Sequence, residues 1–297
     1  MSTPHGTFSI VAIDPTAGEV GCAVQSKYFS VGSVVPWARA GVGAVATQAA
    51  GVAVYGRRAL DTLAGGGSPE EAIEHVLAGD DGRETRQLGV VAADGRAAAF
   101  TGADCLDWAG HRVGDGYAVQ GNILAGEAVV ADMARAFEQT RGSLVERLVS
   151  ALEAGQAAGG DRRGQQSAAV VVERLHAAGE SREGIDRVCD LRVEDHPGPI
   201  AELRRLAGIW AIWDAQRRAH AAYERGDAAA AADVMAAAVD GAAEEDAAGL
   251  YNLACYESLA GRRDAAVEHL RRSLELDPSF RELAAADADL DSIRDAL

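Results

Sequence analysis

The chain has 297 residues, 48% of them hydrophobic, which is enough for two domains with apolar cores. It carries 45 acidic against 28 basic residues, a formal net charge of -17, and such a chain repels phosphate backbones, so we expect no nucleic-acid partner. No basic-then-apolar leader opens it and no apolar run reaches membrane-spanning length, so we expect a cytoplasmic protein without membrane contact.

The first predicted element is a β-hairpin. Two runs rich in β-branched residues flank a turn sequence, at residues 7–14, 15–18 and 19–27. If the strands pair across the four-residue loop, Thr7 lies opposite Ser26 and Gly6 opposite Lys27. A slip of one residue would change the face that Lys27 occupies, but the three residues Thr7, Ser26 and Lys27 lie close together either way.

Thr7 follows a glycine, and a Gly-Thr bond is of the type cleaved when a hydroxyl becomes an amino-terminal nucleophile. The hydroxyl attacks the preceding carbonyl, Gly6 leaves room for the tight turn, and scission frees an α-amine whose pKa is about 7.7 to 8.0. That amine can deprotonate its own hydroxyl, so nucleophile and base share one residue. A strand that simply begins with threonine is the alternative, and the dipeptide alone favours it.

Lys27 is the only lysine in the chain, and the rest of its 28 basic residues are arginines. A lone lysine among arginines points to a requirement that arginine cannot meet, because guanidinium stays charged whereas an amine can lose its proton near neutral pH. Lys27 is therefore a candidate for proton transfer beside Thr7. A solvated residue after a strand is the alternative.

Strand and helix signals continue along the chain. Strands are predicted at residues 43–48, 88–93, 96–101, 117–120, 167–174 and 187–193, and helices at 55–63, from 68, at 127–140 and at 144–154. Ser68 opens its helix as an N-cap before proline and two acidic residues, and Asp94-Gly95 marks a hairpin turn. Strands, two helices, strands, two helices and strands is the order that a helix-covered double sheet gives.

Three runs carry a resemblance to a known family: TFSIVAIDPTAGEVGCAVQSKYFSVGSVVPWARAGVGAVATQ from residue 7, WAGHRVGDGYAVQGNILAG from 108 and AGQAAGGDRRGQQSAAVVV from 154. Over residues 7–206 the chain closely resembles an uncharacterised bacterial family assigned to the N-terminal nucleophile (Ntn) hydrolases. The resemblance implies an α+β fold in which a four-layer αββα sandwich holds two central antiparallel sheets.

Carried over by position, the resemblance implies a site around Thr7. Thr7 matches the nucleophile, and Gln25, Ser26 and Lys27, at the end of the second strand, match the segment that supplies its partners. Proteasome-like relatives have an aspartate where this chain has Gln25, and a separate lysine on the following strand that this chain lacks. Either Lys27 supplies, from another direction, the charge that those two residues provide, or the catalytic chemistry at Thr7 is weakened.

Later segments add candidates to the same implied site. Asp161, in a glycine-rich turn before the strand that begins at Ser167, matches a position that supports the nucleophile's amine. Gly121 and Asn122 match a loop beside the site, and the Asn122 amide could donate to an oxyanion. A solvated charged turn for Asp161 and a turn former for Asn122 are the alternatives.

Gln48, Ser167 and His111 are further candidates to support the site. The strand that ends at Gln48 either reaches the pocket or packs internally. His111 is expected to be a packed or edge histidine, because no second histidine or acidic residue stands at metal-ligand spacing. We therefore expect no metal and no cofactor.

A proline-containing break at residues 195–199 precedes an alanine-rich region, and a helix at Ile200 to Leu206 is expected to close the first domain. Residues 250–278 resemble a tetratricopeptide repeat of about 34 residues, with a weaker copy one period earlier and a cap at 280–297. The expected division is a leader at 1–6, the sandwich at 7–206 and an all-α repeat domain at 207–297. Its arginines at 262, 263, 271 and 272 either face solvent or hold an acidic peptide terminus.

Two functions remain open. The first is an amidohydrolase in which Thr7, freed after Gly6, attacks a small amide or peptide-like substrate, with Lys27 or the α-amine handling protons and Asn122 holding the oxyanion. The second is a catalytically inactive sandwich that serves as a scaffold for a repeat-mediated interaction with a protein partner or for self-association. Loss of residues 1–6 from the mature protein supports the enzyme, and a homo-oligomer is expected.

Overall fold

The computed structural model of the protein describes residues 6–176, 186–242 and 245–296. The chain divides into two compact units, Met1–Arg204 and Arg205–Leu297. The described residues have a mixed α+β architecture with two antiparallel sheets and a C-terminal helical region. Of the leader expected at residues 1–6, all but Gly6 lies outside the described residues.

The strands of the described residues are β1 (Thr7–Asp14), β2 (Glu19–Ser26), β3 (Pro36–Arg39), β4 (Gly43–Ala49), β5 (Arg86–Ala92), β6 (Ala97–Thr101), β7 (Gly110–Gly114), β8 (Tyr117–Asn122), β9 (Ser167–Arg174) and β10 (Arg187–Val193). The helices are α1 (Val54–Ala64), α2 (Pro69–Leu77), α3 (Ala128–Gln139), α4 (Leu144–Ala157), α5 (Pro199–Glu224), α6 (Ala228–Asp240), α7 (Ala247–Leu259), α8 (Arg263–Leu276) and α9 (Phe280–Ala286). The helix expected at 200–206 thus continues through Gly208 to Glu224, because no proline follows Pro199 within it.

Six strands form one sheet in the order β10-β9-β2-β1-β8-β7, and four form the other in the order β3-β4-β5-β6. The hairpin register is confirmed, with Thr7 opposite Ser26 and Asp14 opposite Glu19. The sequence did not predict β3 and β7, two short strands that lie at sheet edges. Both carry weak strand signals, since β3 begins with a proline and glycines bound β7.

Helix pairs cover the outer faces of the two sheets. Helices α1 and α2 pack against the four-stranded sheet, and α3 and α4 pack against the six-stranded sheet. The α2 start is specified locally, because Ser68 and Glu71 cap each other's backbone N–H groups in a capping box. The inner faces of the sheets meet in an apolar core that includes Val11, Val24 and Val91. Burying both inner faces in this way fixes which side chains stand between the sheets.

Candidate functional site

Thr7 lies at the end of β1, a central strand of the six-stranded sheet. It pairs with Ser26 on β2 and with Asn122 on β8, so three strand ends converge on it. The Thr7 side chain is buried, and its Oγ1 lies 3.0 Å from Ser26 Oγ. The predicted proximity of Thr7 and Ser26 is confirmed.

Thr7 and Ser26 open onto a cleft of about 390 Å³. Part of its lining is apolar, from Val31, Val34, Val35, Ala49, Ala50, Gly51 and Ala53. Polar lining comes from Tyr28, Thr47, Gln48 and Arg86. A cleft of this size accommodates a small molecule rather than a folded protein.

Arg86 is the charged residue among those that line this cleft. Its Nε donates to Asp80 Oδ2 at 2.8 Å, and its Nη1 donates to the carbonyl of Ala50. The Arg86 guanidinium, the Tyr55 hydroxyl and the Gly82 N–H hold the pKa of Asp80 well below its ordinary value, and hydrogen bonding to Asp80 raises the pKa of Arg86. The Arg86 guanidinium at this wall of the cleft is therefore held in place by Asp80, and the charges of the two side chains balance.

The carbonyl of Gly6, which precedes the Thr7 nitrogen, has two side-chain donors. Ser26 Oγ donates to Gly6 O at 2.6 Å, and Arg163 Nη2 donates to it at 2.7 Å. A serine hydroxyl has one hydrogen to donate, so Thr7 Oγ1 donates to Ser26 Oγ. Thr7 Oγ1, Ser26 Oγ and Gly6 O therefore form one continuous chain of hydrogen bonds.

The Asp161 side chain is fully buried beside Gly6. It accepts from the Lys27 backbone N–H at 3.1 Å and pairs with Arg163, whose Nη2 lies 2.7 Å from Oδ2. An isolated bridge between Leu124 and Asp161 ties this turn to the segment after β8. The sequence is thus correct in bringing Asp161 next to the Thr7 end of β1, whereas Arg163 was not identified as a site residue.

Lys27 contributes to this arrangement through its backbone. Its side chain is exposed, and its Nζ donates to Gln165 O at 3.1 Å. The physical reason is that β2 ends at Ser26, so Lys27 lies beyond the last pair of the ladder. A proton-transfer role for the Lys27 amine stays a prediction, and the contacts described for that amine do not include Thr7.

Asn122 and Gln48 both donate to Gln87 on β5. Asn122 Nδ2 lies 2.9 Å from Gln87 Oε1, and Gln48 Nε2 lies 2.8 Å from the same oxygen. Gln87 Nε2 donates in turn to Gly121 O at 2.8 Å. Gln48 therefore both lines the cleft and packs internally, while Gly121 contributes its carbonyl. An oxyanion role for Asn122 stays a prediction.

This arrangement extends between the sheets. Ser9 Oγ donates to Gln48 Oε1 at 2.6 Å and accepts from Gln120 Nε2 at 2.6 Å. Gln120 fits because Gly89 lacks a side chain, since a Cβ there would lie 2.1 Å from Gln120 Oε1. We call Ser9, Gln48, Gln87, Gln120 and Asn122 the inter-sheet polar cluster. Polar residues at inward strand positions and a glycine in mid-strand were its sequence signals.

The remaining candidates lie around the site rather than in it. Gln25 is fully buried, faces away from Ser26 because neighbours on a strand alternate, and has no partner for either amide atom among the described residues. Ser167 Oγ donates to Tyr28 O at 2.5 Å and accepts from Val31 N at 3.0 Å, so it positions the cleft lining.

His111 lies on the edge strand β7 and is exposed, as the edge interpretation predicted. Its Nδ1 lies 2.8 Å from Thr101 Oγ1. Within the described ranges, no three side chains of histidine, cysteine, aspartate or glutamate come together as a metal site. In the same ranges, no helix is both long and apolar enough to span a membrane.

Comparisons with known proteins relate the first unit to one family. A family model described as "Family of unknown function (DUF1028)" matches residues 7–203. The crystal structure of a protein from Silicibacter pomeroyi that carries the same family-model name is similar, with 34% sequence identity and a TM-score of 0.63. The similarity covers 71% of this chain and 91% of that chain. Among the curated proteins, none matches.

Proposed function

The chain belongs to the family of unknown function DUF1028, and from the geometry around Thr7 we propose that it hydrolyses a carbon–nitrogen bond. The substrate is a small amide or peptide-like molecule, and Thr7 is the amino-terminal nucleophile once residues 1–6 are removed. One observation carries the proposal. Thr7 lines the cleft, and the neighbouring Ser26 hydroxyl hydrogen-bonds both to the Thr7 hydroxyl and to the carbonyl of the bond that must be cut.

The removal of residues 1–6 supplies the base for this reaction. A free α-amine on Thr7 takes the proton from its own hydroxyl as that oxygen attacks the substrate carbonyl. Asp161 lies against Gly6, so its carboxylate remains beside the new amine and favours its positive charge after proton transfer. The Ser26 hydroxyl stays within hydrogen-bond distance of the nucleophile and orients it.

The packing of the first unit supports the assignment to the Ntn hydrolases. That superfamily has helices outside two face-to-face antiparallel sheets, and here α1 with α2 and α3 with α4 cover the outer faces of two such sheets. Thr7, which the resemblance matches to the nucleophile, begins β1, a central strand of the six-stranded sheet.

The cleft supports a small substrate. Its volume of about 390 Å³ lies at the lower end of the usual range for ligand pockets. Val31, Val34 and Val35 offer an apolar surface, and Gln48, whose Nε2 donates to Thr7 O at 3.4 Å, offers a polar group. We therefore propose a compact, partly apolar acyl group rather than a protein chain.

The test is hydrolysis of a library of N-acyl amino acids and short peptide amides, followed by mass spectrometry. The Thr7→Ala variant should lose at least about 1,000-fold in rate, because nucleophile and base act as one unit. The control is Thr16→Ala in the exposed turn between β1 and β2, which should keep full activity. Hydrolysis by Thr7→Ala at the wild-type rate would rule out Thr7 as the nucleophile.

A scaffold without catalysis is the second candidate. Two observations favour it. The Lys27 amine donates to Gln165 O, and Gln25, where proteasome-like relatives have an aspartate, has no partner for its amide atoms within the described part of the chain. A mature protein that retains residues 2–6 and hydrolyses nothing in the library would support the scaffold and reject the enzyme.

The second unit supports the proposal of two tetratricopeptide-like repeats. Helices α7 and α8 pack on each other, and residues of α5 and α6 share one apolar cluster. Ala231 and Met235 on α6 occupy the places of Ala266 and Leu270 on α8, and all four are fully buried. Stacked helix pairs of this kind offer a surface for a protein partner or for self-association, which we propose for residues 207–297.

A further inference from the structure

The uncut Gly6–Thr7 peptide occupies a site that is organised around its carbonyl oxygen. The regular ladder between β1 and β2 ends with the pair of Thr7 and Ser26. Beyond it, the Lys27 backbone N–H donates to Asp161, and Gly6 O accepts from two side chains, Ser26 and Arg163. Side chains from distant parts of the chain therefore replace the backbone partners of this carbonyl.

The Arg163 guanidinium is held in a fixed orientation for this contact. Its Nε donates to Asp161 Oδ1 at 3.1 Å and its Nη2 to Oδ2 at 2.7 Å, while Nη2 also reaches Gly6 O. The Asp161 side chain is fully buried, and that of Arg163 is 24% exposed. A planar guanidinium that is braced on a carboxylate donates in one direction, here towards the carbonyl of Gly6.

Gly6 fits the same arrangement because it has no side chain. A Cβ at this position would lie 2.6 Å from Asp161 Oδ1 and 2.7 Å from its Cγ. Any other residue at position 6 would displace the carboxylate that orients Arg163. The absence of a side chain at Gly6 therefore fits the position of the Asp161–Arg163 ion pair.

We propose that Arg163 is the catalytic group that polarises the Gly6 carbonyl while the chain cuts its own Gly6–Thr7 bond, with Asp161 as its positioning residue. This inference rests on the proposed function, in which Thr7 must acquire a free amine. It assigns to Arg163 a role in maturation that the turnover of an external substrate does not require.

The cut proceeds through an ester. Thr7 Oγ1 bonds to the Gly6 carbonyl carbon, its proton passes to Ser26 Oγ, and the Ser26 proton passes to the carbonyl oxygen, whose developing charge Arg163 stabilises. The carbon–nitrogen bond then breaks as the proton on the former carbonyl oxygen passes to the Thr7 nitrogen, so that the C=O bond re-forms as the ester and Thr7 gains a free amine. One water molecule hydrolyses the ester, which releases the Gly6 carboxylate and restores the Thr7 hydroxyl. No electron is gained or lost.

The test follows the cut in the full chain by intact mass at intervals after cell-free synthesis, without any external substrate. Arg163→Ala should cut at least about 100-fold more slowly, the usual effect of removing one oxyanion donor. Arg162→Ala is the matched control, because Arg162 is exposed and its guanidinium reaches Asp107 O at 3.5 Å. It should cut at the wild-type rate.

Two further readouts separate catalysis from support of the fold. Added guanidinium ion should restore part of the rate in Arg163→Ala but none in Thr7→Ala, whereas a structural defect at position 163 would not respond. Hydroxylamine should intercept the ester of the wild-type chain and convert the carboxyl group of Gly6 into a hydroxamate. Urea unfolding of each variant shows whether it is folded.

Each outcome bears on the proposal. A wild-type rate in Arg163→Ala, or a slow rate without guanidinium rescue in a folded variant, would overturn the role of Arg163 and leave Thr7 as the proposed nucleophile. A wild-type chain that stays uncut would overturn both this inference and the proposed maturation. A cut wild-type chain that hydrolyses no amide would leave the inference standing and count against the proposed enzyme alone.

Discussion

The space between the two sheets has two contrasting ends. At the Thr7 end lies the inter-sheet polar cluster, in which the Gln87 side chain joins β5 to Gln48, Asn122 and Gly121. At the other end Val11, Val20 and Val91 belong to a core of apolar side chains. Both ends are equally buried, so the difference lies in what holds the sheets together.

The difference shows that one set of side chains stabilises the packing of the sheets and another set positions Thr7. Apolar packing stabilises the sheets but tolerates small shifts, because dispersion contacts have little directional preference. Hydrogen bonds between buried amides have defined lengths and angles, so they fix the register of β1, β4, β5 and β8 relative to Thr7. The polar end costs the desolvation of its amide groups, and it positions Thr7, whose carbonyl accepts from Gln48 Nε2 at 3.4 Å.

The substitution with the largest expected effect on the polar end is Gln87→Leu. The substitution leaves the amide groups of Asn122 and Gln48 without the oxygen of Gln87 and removes the donor to Gly121 O. Orphaned buried groups cost about 1–3 kcal/mol each, so we expect a loss of about 4 kcal/mol in the free energy of unfolding. Urea denaturation measures it.

The matched control is Gln139→Leu at the exposed end of α3, which should change the free energy of unfolding very little. A loss in Gln87→Leu no larger than in Gln139→Leu would mean that the polar cluster does not hold the sheets together.

The apolar end should respond differently. Val91→Ala removes two methyl groups from a fully buried side chain, for a loss of about 2 kcal/mol from transfer and cavity terms. Because Val91 is not part of the polar cluster, the rate of Gly6–Thr7 cleavage should stay as in the wild type. Urea denaturation and intact mass on the same sample test both statements. A large fall in cleavage rate would show that the two ends are coupled.

The same contrast explains what the sequence could predict. The hairpin, its register and the proximity of Thr7 to Ser26 follow from local alternation and a short turn, so they were predictable. Asp161 was placed near the site through the family resemblance. Arg163 and Gln87 were missed, because a polar residue on a turn or strand acquires its partner only when distant strands pack.

Lys27 shows the limit of arguing from residue type. Because Lys27 is the only lysine, the sequence predicted a chemical role for its amine. Because β2 ends at Ser26, however, the Lys27 side chain extends to Gln165 O, and its backbone N–H donates to Asp161. Where a strand stops decides the direction of the next side chain, and strand ends are the part of a structure that sequence patterns define least well.

The smallest expected effect on stability concerns Gln25, on the opposite face of the six-stranded sheet, and it sharpens the comparison. Gln25 lies on the helix-covered face, fully buried, and neither of its amide atoms has a partner among the described residues, unlike the bonded glutamines between the sheets. A buried amide that makes no hydrogen bond costs about 1–3 kcal/mol, so Gln25→Leu, which keeps a similar volume, should raise the free energy of unfolding by about 1 kcal/mol. The sign is opposite to that of Gln87→Leu, because here the substitution removes an unsatisfied group instead of creating one. Urea denaturation of Gln25→Leu decides the matter: a loss of stability would show that Gln25 has a partner that matters to the fold, and it would place that position with the polar cluster.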